Sequence, residues 1–93
     1  MGDKKMKIEI KKLSDNEIND LGIKSWPIWT KEISQFDWSY DSQETCLFLE
    51  GKVIVKTDFE EVTIGKGDFI TFPKGLNCIW NVIEPVKKHY KFE

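Results

Sequence analysis

Residues 67–75 read GDFITFPKG: a short aromatic and β-branched run held between Gly67 and the pair Pro73 and Gly75. Phe69, Ile70, Thr71 and Phe72 favour a pleated, half-buried strand. Gly67 admits the tight turn into that strand, and Pro73 ends it at a point where no amide donor is needed. The same punctuation recurs on both sides. Strands are expected at 26–32, 36–40, 44–50, 52–57, 60–64, 68–73, 76–83 and 87–92, with turns at Glu50-Gly51-Lys52, Thr57-Asp58-Phe59, Gly65-Lys66-Gly67 and Pro73-Lys74-Gly75. On this reading Gly51 permits a hairpin between two apolar strands. Short strands with frequent turns argue for a closed or two-layered all-β architecture.

Upstream the period changes. Lys7 to Lys11 alternates charged and apolar residues, which suits a strand with Ile8 and Ile10 on one face. Ser14-Asp15-Asn16-Glu17 spells a capping box, Ile18 and Leu21 supply an apolar face, and Gly22 is a C-terminal stop, so one two-turn helix is expected. With 93 residues, one domain is expected, the strand and helix occupying 1–24 and the barrel 25–93.

The spacing of Glu44, Gly51, Gly67, Pro73 and Gly75 resembles the cupin superfamily of small β-barrels. The resemblance implies a double-stranded β-helix, or jelly-roll barrel, around an interior pocket. The stretches ETCLFLEG and GDFITFPKG are similar to small single-domain cupins of unknown function grouped with the cupin domains of ureidoglycine aminohydrolase and ethanolamine-utilisation proteins. Cupin metal sites take three imidazoles and a carboxylate. At those positions this chain carries Trp38, Tyr40 and Cys78 in place of the histidines and keeps Glu44; Val82 stands where the motif's asparagine would be. An indole nitrogen is only a donor, so Trp38 cannot ligate a metal. The sole histidine, His89, lies outside both motifs and is expected to be an ordinary strand or surface residue.

Strand alternation puts Trp38 with Tyr40, Glu44 with Cys46 and Phe48, and Cys78 with Trp80 on common faces. A ligand-binding pocket lined by Trp38, Tyr40, Glu44, Cys46, Cys78 and Trp80 is therefore expected, with Glu44 hydrogen-bonded to Tyr40 or backbone amides. Trp26, Trp29 and Phe36 are assigned to packing or a subunit contact. The first functional reading is a binding cupin for a small polar metabolite, without a cofactor. The alternative is a metal-dependent enzyme acting on a small nitrogenous or carbohydrate-like metabolite, with a divalent ion at Glu44 and Cys78 and an atypical Glu/Cys/Tyr site. A third is an interaction module, since cupins commonly form homodimers and the WPIW segment from Trp26 to Trp29 suits an edge or interface strand.

Composition narrows the partners. Fourteen basic and sixteen acidic residues give a net charge of −2, and the lysines are scattered, so nucleic acid is not expected. Lys4-Lys5, Lys11-Lys12 and Lys87-Lys88 read as solvated strand ends. The longest strongly apolar run, Cys46 to Leu49, is far short of the ~20 residues of a membrane span. The opening MGDKKMKIEIKK lacks a secretory apolar stretch, so a cytoplasmic protein is expected, with Cys46 and Cys78 as free thiols.

Overall fold

The computed structural model describes residues 6–93, so Lys4-Lys5 lies outside the described residues. The chain is an all-β jelly roll of antiparallel strands with one short α-helix. Its elements are β1 (Glu9–Lys12), α1 (Asp15–Asp20), a 3-10 turn (Ile23–Ser25), β2 (Ile28–Lys31), β3 (Ser34–Ser39), β4 (Glu44–Lys56), β5 (Glu61–Gly65), β6 (Asp68–Phe72) and β7 (Asn77–Phe92). The sheet runs in the order β1-β6-β4-β7-β2, with β3 also on β7 and β5 also on β4. No helix among the described residues is long and apolar enough to cross a membrane.

Local chemistry explains the short elements. The Ser14 hydroxyl accepts from the Glu17 amide at 3.2 Å, and the Glu17 carboxylate accepts from the Ser14 amide at 2.9 Å, forming the expected capping box. Between β4 and β5, Thr57 Oγ1 accepts from the amides of Phe59 and Glu60, both at 3.0 Å, so a side chain takes the place of ladder bonds through the turn. Before β6, the Asp68 carboxylate accepts from the Gly65 amide at 2.8 Å.

Two expected breaks are absent. The segments 44–50 and 52–57 form one strand, β4, and the segments 76–83 and 87–92 form one strand, β7. Gly51 is not the tip of a hairpin. It sits at φ +95° inside an irregular stretch where the β4–β7 register shifts between Phe48 and Val53. That bulge changes which alternate residues face inward. Before it Glu44, Cys46 and Phe48 are buried in the barrel core; after it Val53 and Val55 are. Pro85 lies opposite, in the part of β7 between its pairing with β3, which ends at Val82, and with β2, which begins at Val86. Its missing amide donor costs no ladder bond to that side.

The barrel core gathers Phe48, Val53, Val55, Ile64, Ile70, Phe72, Leu76, Trp80, Val82 and Val86. A smaller cluster on the outside packs Ile23, Leu47 and Phe69 against Leu13, Ile18 and Trp26, which seats the helical segment on the sheet. Ile8 is buried in the barrel core, whereas Ile10 is more than a third exposed, so the two do not share a buried face.

Gly51→Ala tests the bulge. A Cβ there would overlap the Pro85 carbonyl oxygen and lie 2.7 Å from the Pro85 carbonyl carbon and 2.8 Å from Val86 Cα, all of them backbone atoms. The variant is expected to lose more than about 2 kcal/mol in urea unfolding, from the clash and the positive φ together. A midpoint equal to that of the parent would show that the bulge does not need glycine.

Candidate functional site

The barrel encloses a cavity of about 220 Å³. Its wall is mostly aromatic: Trp29, Phe36, Trp38, Tyr40, Trp80, Tyr90 and Phe92, with Glu44 and Lys88 as the only ionisable pair besides the phenols. Trp38 and Phe92 are about half exposed, and they mark the side open to solvent. Tyr40, Glu44, Trp80 and Lys88 are all buried.

The rings hold one another. Trp80 stacks between Phe36 at 5.9 Å and Phe48 at 6.2 Å and meets the edge of Trp29 at 5.7 Å. Tyr40 stacks on Phe72 at 4.9 Å. Its backbone is pinned as well: the Gly75 amide donates to the Tyr40 carbonyl at 2.7 Å, and the Tyr40 amide donates to the Leu76 carbonyl at 3.0 Å. The turn of the PKG sequence thus fixes the ring that stands just past the end of β3.

At the centre of the polar side, Lys88 Nζ donates to Glu44 Oε2 at 2.8 Å, with both side chains almost wholly buried. The ammonium also lies 4.6 Å from the Trp80 ring centroid, 4.8 Å from Trp29 and 5.9 Å from Phe72. The ring faces carry negative electrostatic potential and so offset part of the cost of taking that charge out of water. Lys88 reaches this place because β7 is continuous: Cys78, Trp80, Val82, Val86 and Lys88 all fall on its inner face. The expectation that Lys87-Lys88 is a solvated strand end therefore fails for Lys88. The expectation that Tyr40 or backbone amides satisfy Glu44 is replaced by an ion pair.

Two polar atoms in this wall have no partner. The Tyr40 hydroxyl and the Trp80 indole N–H are buried and make no well-formed hydrogen bond, although the indole N–H approaches both the Tyr40 oxygen and the Cys78 sulfur. Burial pushes the Tyr40 phenol well above its ordinary value, and the nearby Glu44 carboxylate adds to the shift. It stays a neutral donor at any physiological pH.

Of the residues singled out by pattern, Trp38, Tyr40, Glu44 and Trp80 line the cavity. Cys46 is fully buried beneath it, and Cys78 borders a separate shallow depression with Asp37, Lys56, Asp58 and Asn77. Trp29 and Phe36, assigned above to packing or a subunit contact, are wall residues instead. Trp26 packs on Phe69 at 6.5 Å, outside the barrel. His89 is a buried strand residue whose Nδ1–H donates to the Trp26 carbonyl at 3.0 Å, away from the cavity.

The donors here do not fit a cupin-type metal ion. Glu44 already holds an ammonium, and no cluster of three His, Cys, Asp or Glu side chains among the described residues could hold a metal ion. Burial pushes the Cys46 thiol up to about 12, opposed in part by Lys88, and the Cys78 thiol up to about 11, opposed in part by the Trp80 N–H and more weakly by Lys88. Without a metal ion beside them both therefore remain thiols at neutral pH, which makes them poor nucleophiles.

Two consequences can be measured. Lys88→Met leaves Glu44 buried without its partner and is expected to cost about 3–5 kcal/mol of stability, most of it recovered when Glu44→Leu is added. A double-variant loss equal to the sum of the two single-variant losses would mean that the pair is not coupled. The raised thiols give a second check. Folded and unfolded chains hold these protons alike below pH ~9, but above it the unfolded chain ionises first, so stability falls as pH rises toward about 11–12. A Cys46→Ala/Cys78→Ala variant is expected to show less of that alkaline loss, read as urea midpoints at pH 7 and pH 10.

A family model described as the EutQ-like cupin domain matches residues 18–90. Among solved structures, a DUF861-family protein from Thermotoga maritima is 50% identical, with a TM-score of 0.91 over 94% of this chain and 100% of that one. The EutQ protein of Clostridium difficile shares 20% identity at a TM-score of 0.66, over 91% of this chain and 66% of its own. A protein of unknown function from Rhizobium leguminosarum shares 25% identity at a TM-score of 0.62, over 70% and 66%. No curated protein matches the chain. With most of its length matched by the family model and a half-identical structure superposing across the whole barrel, the chain belongs to the EutQ-like cupin family.

Proposed function

We propose that this cupin binds a small, largely apolar molecule that carries one hydrogen-bond-accepting oxygen, without a metal ion. The observation that carries this reading is the pair of unpartnered buried donors, Tyr40 Oη and Trp80 Nε1, on residues that line the cavity. A buried donor left unpaired costs about 1–3 kcal/mol, and a ligand oxygen that shifts the wall enough to reach either donor would recover part of that cost. Lys88 adds ammonium protons beyond the one it gives to Glu44, so this side of the cavity offers donors.

Size and wall chemistry support the rest. At about 220 Å³ the cavity is smaller than the ~300–1,000 Å³ of drug-sized pockets, which suits a ligand of about ten non-hydrogen atoms or fewer. Stacked rings on the other sides favour a flat apolar body. The small polar metabolite expected from sequence thus narrows to a molecule with a polar head and an apolar body.

Benzyl alcohol and benzamide, compared with toluene, test this directly. Quenching of tryptophan fluorescence and thermal shift should show the oxygenated compounds binding about tenfold or more tightly than toluene, as expected for satisfying a buried donor. Tyr40→Phe should leave the free protein at least as stable while erasing part of that preference. Equal affinities, or no binding by any of the three, would overturn the reading. A stoichiometric divalent ion in protein purified without an affinity tag, lost in Glu44→Ala, would favour the metal-dependent enzyme instead.

A further inference from the structure

Resting on that reading of the cavity, we infer that Lys88 captures aldehydes as a protonated imine and that the accepting oxygen of the ligand is a carbonyl. Among the described residues Lys88 is the one primary amine in the cavity wall, and it is buried there with a carboxylate 2.8 Å away. Lysines held in apolar pockets serve as imine-forming nucleophiles once a neighbouring base takes a proton, and the free amine then attacks carbonyl carbon. Here Glu44 supplies the acceptor for the proton that must leave. Transfer along the Nζ–Oε2 hydrogen bond converts two buried charges into a neutral amine and a neutral acid.

The chemistry then balances within the site. The Nζ lone pair forms a bond to the carbonyl carbon while the carbonyl π pair moves to oxygen, which takes its first proton from the acid that Glu44 has become; Tyr40 and Trp80 belong to the same wall. The oxygen leaves as water, carrying the two protons that the ammonium has lost. The product is an iminium with one proton on nitrogen. No redox partner is required.

The surroundings suit the product as well as the starting amine. An iminium places a single positive charge at Nζ, where the ammonium stood. Glu44 and the ring faces of Trp80 and Trp29, 4.6 and 4.8 Å from Nζ, face that charge in both states. The half-exposed Trp38 and Phe92 leave one side through which an aldehyde enters and water departs.

Borohydride trapping with benzaldehyde on the intact protein tests the inference, with the benzyl group placed by peptide mapping. Lys88 should be labelled about tenfold or more faster than the exposed lysines, as expected when amine and carbonyl are held together, and unreactive benzyl alcohol should protect it. Lys88→Arg keeps the cation and should abolish the protectable label. Should that variant fail to fold, protection in the parent protein still decides. Labelling of Lys88 no faster than that of exposed lysines, with benzyl alcohol still bound, overturns the imine and leaves the cavity reading standing. Absence of both labelling and binding overturns the two together.

Discussion

The ion pair between Lys88 and Glu44 is the constraint to which the rest of the interior is fitted. Moving a carboxylate and an ammonium out of water costs several kcal/mol each even after relaxation, and their attraction alone does not assure repayment. The interior supplies what is missing. Lys88 comes from β7, Glu44 from β4, Trp29 from β2 and Phe72 from β6, so four strands converge on one charge. Trp80, also from β7, offers the shortest of the three ring contacts. A shift of any one strand by a single residue would turn its contribution outward, because side chains alternate with a period of two. The pair therefore ties barrel register to cavity chemistry.

Register in turn depends on the bulge at Gly51. Strict alternation from Glu44, Cys46 and Phe48 would carry Lys52 into the core and turn Val53 and Val55 out. The bulge shifts the phase, so the polar end of the cavity and the valine-lined end of the barrel come from one strand. The close approach of Gly51 to Pro85 makes this a feature of two strands, since the irregular part of β4 meets the part of β7 that leaves the ladder.

This also explains what the sequence made legible. The capping box at Ser14 and the turns at Thr57 and Gly67 are local, decided by residues within three positions, and local chemistry reads them correctly. Glu44 was found by its motif position. Its partner was not, because Lys88 lies 44 residues away and a lysine is ordinarily solvated. The available signal was parity: Cys78, Trp80, Val82, Val86 and Lys88 share one phase. Ending one strand at Ile83 and starting another at Lys87, on either side of Pro85, divided β7 and discarded that phase, just as reading Gly51 as a hairpin divided β4. Both residues interrupt strands in most contexts; here each occupies the place where the other's strand makes room.

An ammonium on Glu44 changes what kind of ligand the barrel can select. A metal ion accepts electron pairs from several directions and binds anions and neutral donors alike. An ammonium offers a few directed protons, and here one is already committed to Glu44. On the proposed reading the ammonium, Tyr40 and Trp80 favour a ligand oxygen, while Glu44 commits one of its two oxygens, Oε2, to Lys88. Desolvation sharpens the difference, because a polar group left unpaired against these rings loses water without compensation. For the ligand we propose, selectivity follows from exclusion as much as attraction: strongly hydrated groups are disfavoured against these rings, and a flat molecule with a single oxygen is favoured.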